Sequence, residues 1–251
     1  MVTSRRQARA LVALLTSALV GLTIAAAPAA PAAVGHDDPP ALANGGFERG
    51  WFAGWGHQDQ PGSSGAWRVF AGTSSPISQL PIPAPPEGRV QAVVDQSGPG
   101  SHALFRRISV DGDHSALQLT FWYRNRAGVF FSPKTLRFDR VANQQFRIDI
   151  MRVGAGVRSL ATHAILATPF RTMPGSPASV GPRTITVDLS RFAGTDVRLR
   201  IAEVDNQFFF QAGVDAVRLV DDAGAVRAPQ PRLGTGHARP GPAPVVGAYV
   251  R

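Results

Sequence analysis

Between residues 41 and 220 apolar side chains recur at every second position, and the 3.6-residue spacing of an amphipathic helix is almost absent. Over 116–126, Leu117, Leu119, Phe121 and Tyr123 alternate with Gln118, Thr120, Trp122 and Arg124. Over 144–153, Phe146, Ile148 and Ile150 alternate with Gln145, Arg147, Asp149 and Met151. Val90, Ala92 and Val94 share one side of 88–96, and Ile185, Val187 and Leu189 one side of 183–190. In 195–206, Val197, Leu199 and Ile201 oppose Arg198 and Arg200. A last strand is predicted over 211–220, and further apolar runs lie at 66–70, 102–110 and 159–170. Only 190–194 reads as a helical turn.

Gly, Pro, Asn and Asp separate these segments, as turns require. Strand after strand with one apolar and one polar face predicts an all-β fold, a two-sheet antiparallel β-sandwich. Two long connections stand out: 71–87, rich in Ser and Pro, and 127–143, which carries Phe130, Phe131 and Phe138. Segments of that length in a sandwich are functional loops or edge covers.

The flanks differ from this middle. Arg5, Arg6 and Arg9 precede an uncharged, alanine-rich run over 10–26, and Ala30-Pro31-Ala32 offers small residues for cleavage. Residues 1–32 therefore read as a signal peptide, with a transmembrane anchor as the alternative. Residues 33–40 form a short N-terminal segment, 41–222 the domain, and 223–251 a Pro/Gly/Arg-rich tail with no apolar period. Cleavage would remove 32 of the 251 residues, including three arginines and no acid, and lower the net charge from +9 to +6. The expected product is secreted, extracellular and unanchored, and a monomer is expected.

Cysteine is absent, which excludes a disulfide framework, a thiolate zinc site and a cysteine nucleophile. An exported chain without disulfides must be held by a large core or by a metal ion. Lys134 is the only lysine among 26 basic residues, a bias that reflects GC-rich coding better than a ligand. Arg106-Arg107 is the only basic doublet in the domain and acids are interspersed, so no nucleic-acid partner is expected.

Particular residues then suggest a family. Asn44-Gly45-Gly46-Phe47-Glu48, with Trp51 and Trp55 after it, resembles the opening strand of the galactose-binding-like jelly-roll fold of many secreted bacterial carbohydrate-binding modules. Residues 187–194 followed by 197–201 resemble its penultimate region, and Val214-Asp215-Ala216-Val217-Arg218-Leu219 its closing strand. Residues 143–149 and 202–207 resemble a subgroup of uncharacterised secreted proteins of this architecture. The resemblance implies a structural calcium, with Glu48 and Asp215 among its ligands.

The residues themselves add candidates. Strict alternation places Asp215 on the inward face with Val217 and Leu219, where a carboxylate needs a counter-charge or metal. The alternative is that it bonds turn amides at the rim. Glu203 and Asp205 continue the inward phase of Val197, Leu199 and Ile201. They read either as a functional carboxylate cluster or, more ordinarily, as a strand end meeting an arginine. A ligand face is expected from the outward set Trp122, Arg124, Gln145, Arg147 and Asp149, an indole for a sugar ring with polar groups for its hydroxyls. The alternative is a solvated sheet surface with Trp122 beneath 127–143. Trp51 and Trp55 are assigned to packing of the first strand.

No G-x-S-x-G, P-loop or H-E-x-x-H motif occurs, and the six histidines are dispersed. The expected function is a non-catalytic module for polysaccharide or cell-wall glycan, with no membrane partner after cleavage. Two alternatives stand beside it: a structural or adhesive protein without a sugar site, and a jelly-roll polysaccharide lyase using Tyr123 near Arg124 and Arg126.

Overall fold

A computed structural model describes residues 42–110, 116–125, 131–132 and 134–220. The expected signal peptide (1–32), the segment 33–40, the tail 223–251 and parts of 127–143 lie outside the described residues.

Ten strands form: β1 (Gly56–Asp59), β2 (Ala66–Phe70), β3 (Gln91–Asp95), β4 (Gly100–Val110), β5 (Ala116–Asn125), β6 (Gln144–Arg152), β7 (Ile165–Arg171), β8 (Ser179–Asp188), β9 (Thr195–Asp205) and β10 (Phe210–Val220). A 3₁₀ turn at Ser190–Phe192 takes the place expected of a helical turn. The strands make two five-stranded sheets, in the orders β1-β4-β9-β6-β7 and β2-β3-β10-β5-β8, and every named pairing is antiparallel. From β3 to β7 and again from β8 to β10 the chain alternates between sheets at almost every step, as in a jelly roll. The expected sandwich is therefore observed.

The apolar phase of each strand meets between the sheets. Leu117, Leu119, Phe121 and Tyr123 of β5 pack with Phe146, Ile148 and Ile150 of β6, Val197, Leu199 and Ile201 of β9, and Phe210, Ala212 and Val214 of β10. The aromatic part of this core is contiguous, with Phe121 and Phe146 ring centroids 5.7 Å apart and Tyr123 and Phe210 edge-on at 5.8 Å.

Three departures from the expected elements have local causes. The edge strand β1 has the sequence Gly-His-Gln-Asp, with no apolar alternation to reveal it. Strand β8 starts at Ser179 and includes Gly181 and Pro182, residues tolerated because β8 is also an edge. Strand β7 starts only at Ile165, because turns occupy most of 153–164.

Both outward faces are partly covered. The segment 73–87 crosses the sheet that contains β5 and β10, burying Ile82 against Val93 and Trp122. On the other sheet, Leu136, Phe138 and Leu160 pack on Ala202 and Val204 of β9.

Candidate functional site

The expected ligand face points outward, and it is closed. Trp122 is 1% exposed. Its indole N–H donates to Gln91 Oε1 at 2.7 Å, and Gln91 Nε2 donates to the Pro83 carbonyl at 2.8 Å. The ring lies across Gly213, where a Cβ would stand 2.3 Å from Nε1, so only glycine fits on β10 at that point. Arg124 Nη1 donates to the Pro81 carbonyl at 2.9 Å. The described cover over Trp122 is thus 73–87, while Leu136 and Phe138 of the other long connection pack on the opposite sheet. No sugar ring can stack on Trp122 in this arrangement.

The second half of that face is also buried. Gln145 Nε2 donates to the Ser132 carbonyl at 2.6 Å. Arg147 meets Asp149 through Nε and Nη2, both at 2.6 Å, and Arg200 on β9 meets it through Nε at 3.0 Å and Nη2 at 2.5 Å. Thr168 donates to the same carboxylate at 2.8 Å. Arg200 Nη1 also donates to the carbonyls of Val157 and Ser159 at 2.7 and 2.8 Å, which ties the 153–164 loop to the sheet. Arg147 and Asp149 are therefore parts of an internal ion cluster. Sequence reasoning missed Arg200 as the third member, because the pairing of β6 with β9 that brings it there is not legible locally.

Asp215 faces the other way from the sequence expectation. Val214 is in the core, while the β10–β5 register shifts between Asp215 and Arg218. Ala216 adopts a left-handed backbone with φ 52°, the mark of a bulge. The bulge inserts a residue and resets the phase, so Asp215 shares the outward face with Gly213 while Val217 returns inward. Opposite the bulge, Val217 N–H donates to the Gly45 carbonyl at 3.1 Å. A Cβ on Gly45 would stand 1.8 Å from the Val217 oxygen, which explains a glycine in the Asn44–Glu48 motif.

Asp215 is still fully buried, and its carboxylate accepts from the backbone N–H groups of Glu87 (3.0 Å) and Ala216 (2.8 Å). Burial pushes its carboxyl up to about 7, against the pull of those two amides and with help from the charges of Glu87 and Glu48. Glu48 Oε1 accepts from the N–H groups of Arg89 (2.8 Å) and Val90 (3.1 Å), bonds that hold its carboxyl below the usual range. The three carboxylates converge beside Gly46: a Cβ there would lie 3.5 Å from Glu87 Oε1, 3.7 Å from Asp215 Oδ1 and 3.9 Å from Glu48 Cγ. This is a hard-oxygen environment of the kind calcium takes. Yet no three acidic or histidine side chains come close enough to hold a metal ion unaided among the described residues.

Glu203 points inward as its phase requires, but it meets no arginine among the described residues. It is 0% exposed, and neither carboxylate oxygen has a hydrogen-bond partner among the described residues. Burial pushes its carboxyl well above the usual range, with the charges of Asp205 and Asp95 adding to the effect. Asp205 is raised too, chiefly by burial.

The first tryptophans divide. Trp55 is buried against Phe47, with ring centroids 5.1 Å apart, as expected for packing. Trp51 is not packing: it is 64% exposed. Its loop is clamped by Asn44, whose Nδ2 donates to the carbonyls of Trp51 (3.0 Å) and Ala53 (3.3 Å) and whose Oδ1 accepts from Arg49 N–H at 3.2 Å. Tyr123 is in the core, its hydroxyl donating to the Pro177 carbonyl at 2.8 Å, which removes the residue on which a lyase reading would rest.

No protein-family model matches the chain, and no curated protein matches it. Among solved structures it is similar to TmCBM61 in complex with β-1,4-galactotriose, at 9% identity and a TM-score of 0.44 over 73% of this chain and 99% of that one. It is also similar to the K3 cleaved adhesin domain of Lys-gingipain from Porphyromonas gingivalis, at 17% identity and a TM-score of 0.41 over 70% of this chain and 95% of the other. A third is the family 11 carbohydrate-binding module from Clostridium thermocellum with a mixed-linked tetrasaccharide, at 15% identity and a TM-score of 0.33 over 69% and 91% of the two chains. Likeness at this level assigns no ligand to this chain.

Proposed function

We propose that the chain is a secreted, non-catalytic binding module for extracellular or cell-wall carbohydrate, engaging glycan at the rim that carries Trp51 and stapled there by a calcium. The exposed, clamped indole of Trp51 carries this reading. A flat aromatic face on a loop fixed by three Asn44 hydrogen bonds is pre-organised for a sugar ring, and little ordering entropy is lost on binding. The flanking Arg49 supplies a hydroxyl partner. Calcium on Glu48 and Asp215, with Glu87 and loop carbonyls completing its oxygen shell, would neutralise the crowded carboxylates and fix the same loop. Metal and glycan are therefore coupled through residues 44–51.

The test is a glycan array that includes β-1,4-galactan, mixed-linked glucan and uronic-acid polymers, followed by calorimetry on the best binder. Trp51→Ala is expected to weaken binding about tenfold, the cost of losing one stacked ring of roughly 1.4 kcal/mol. Chelation is expected to weaken it as well. The cover over the expected ligand face favours one second reading, an adhesive protein without a sugar site. An array without any binder would select it.

A further inference from the structure

We propose that the buried polar layer at the end of the sandwich around Glu203 is a second, enclosed cation site, taking a calcium-class divalent ion on Glu203, Asp205 and Gln144. Four oxygens of these three side chains, Glu203 Oε1 and Oε2, Asp205 Oδ2 and Gln144 Oε1, are buried without a hydrogen-bond partner among the described residues. All four are acceptors. A buried acceptor left unpaired costs on the order of 1–3 kcal/mol, and more when it carries charge. A cation satisfies every one of them together.

Strand geometry brings the three residues to one end of the inner face of the sheet. Glu203 and Asp205 lie two residues apart on the inward side of β9, about 7 Å between Cα atoms. Gln144 is the register partner of Asp205 on β6, and its Nε2 donates to Asp205 Oδ1 at 2.9 Å. Asp205 Oδ1 is further fixed by the Gln207 N–H at 2.8 Å, leaving Oδ2 as its open atom.

No basic group among the described residues serves Glu203. Its register partner on β4 is His102, and both ring nitrogens of that histidine already face oxygens. Nδ1 lies 2.7 Å from Asp59 Oδ1, and Nε2 lies 3.0 Å from the Ser64 carbonyl and 3.1 Å from Gln96 Oε1. On the far side the register partner is Phe146. Asp95, whose charge also reaches Glu203, has its oxygens bonded to Ile77 N, Ser78 N, Ser78 Oγ and Gln96 N. Two carboxylates balance one divalent charge, and the amide oxygen adds a neutral hard ligand. Calcium tolerates such an irregular set at 2.3–2.6 Å, whereas magnesium demands near-octahedral geometry.

The site shares no residue with the Glu48–Asp215 rim, so the two are separable by substitution. The experiment is equilibrium dialysis of chelator-stripped full-length protein against calcium, with metal per chain measured by atomic emission. Glu203→Gln is expected to lose one equivalent relative to the unsubstituted protein, and Asp215→Asn the other. Absence of the rim calcium would show as a single equivalent lost in Glu203→Gln and unaffected by Asp215→Asn. An unchanged calcium count in Glu203→Gln would overturn the proposal and leave a protonated glutamic acid in the layer, which the amide mimics. Should Glu203→Gln fail to fold, Gln144→Leu removes one oxygen and no charge. It is expected to weaken the same calcium class about tenfold, and an unaltered titration there overturns the proposal equally.

Discussion

Asp149 and Glu203 are both 0% exposed, on neighbouring strands of one sheet and on opposite faces of it. Asp149 accepts from two arginines and a threonine, while Glu203 accepts from nothing among the described residues. The contrast separates a structural charge from a site. A carboxylate whose lone pairs are consumed by fixed donors has finished its task when the chain folds. One kept apart from every donor costs stability unless something from outside completes it.

Removing Asp149 should have the largest effect. Asp149→Ala leaves Arg147 and Arg200 buried without their anion, and the expected loss is about 3–5 kcal/mol. At roughly 2–4 °C per kcal/mol for a domain of this size, the thermal midpoint should fall by about 10 °C, with or without calcium. A small loss would mean that water reaches the arginines and that the cluster is not internal. Glu203→Gln should behave oppositely. In chelator its midpoint should equal or exceed that of the unsubstituted protein, and its stabilisation by calcium should be smaller.

The pH dependence sharpens the same contrast. Asp215, pushed up to about 7, and Glu203, raised well above the usual range, both bind protons more tightly folded than unfolded. Their contribution is complete below pH ~4 and is lost as pH rises through the folded values. Chelated protein should therefore melt higher at pH 5 than at pH 8, and calcium, which binds the ionised carboxylates, should narrow the gap. Melting curves that rise with pH in chelator would contradict these assignments. A smaller change comes from Trp122→Phe, which strands Gln91 Oε1 and should cost about 1–3 kcal/mol without altering glycan binding.

The fold was legible because period-two alternation records which side of each strand is buried. That record holds for β5, β6 and β9, whose apolar sets Phe121, Ile148 and Leu199 all reach the core. It failed at Asp215, where the Ala216 bulge resets the phase, a backbone event that leaves no apolar trace in the sequence. It also failed to distinguish outward from exposed. Trp122 and Arg147 do point outward, but long connections return over them, and the path of 73–87 or 153–164 depends on tertiary contacts such as Pro83 with Gln91 and Ser159 with Arg200. Glu203 shows the reverse case. Its inward direction was legible, and its lack of an arginine partner among the described residues was not.

Trp51→Ala has the smallest expected effect on stability, since an indole that is 64% exposed contributes little to packing. It bears most directly on function. The decisive measurement is calorimetric titration of the best array glycan into the calcium-loaded protein and into Trp51→Ala with an unchanged midpoint. Affinity about tenfold weaker in the variant is the predicted result. Equal affinity in both proteins, or no glycan bound by either, would contradict the account.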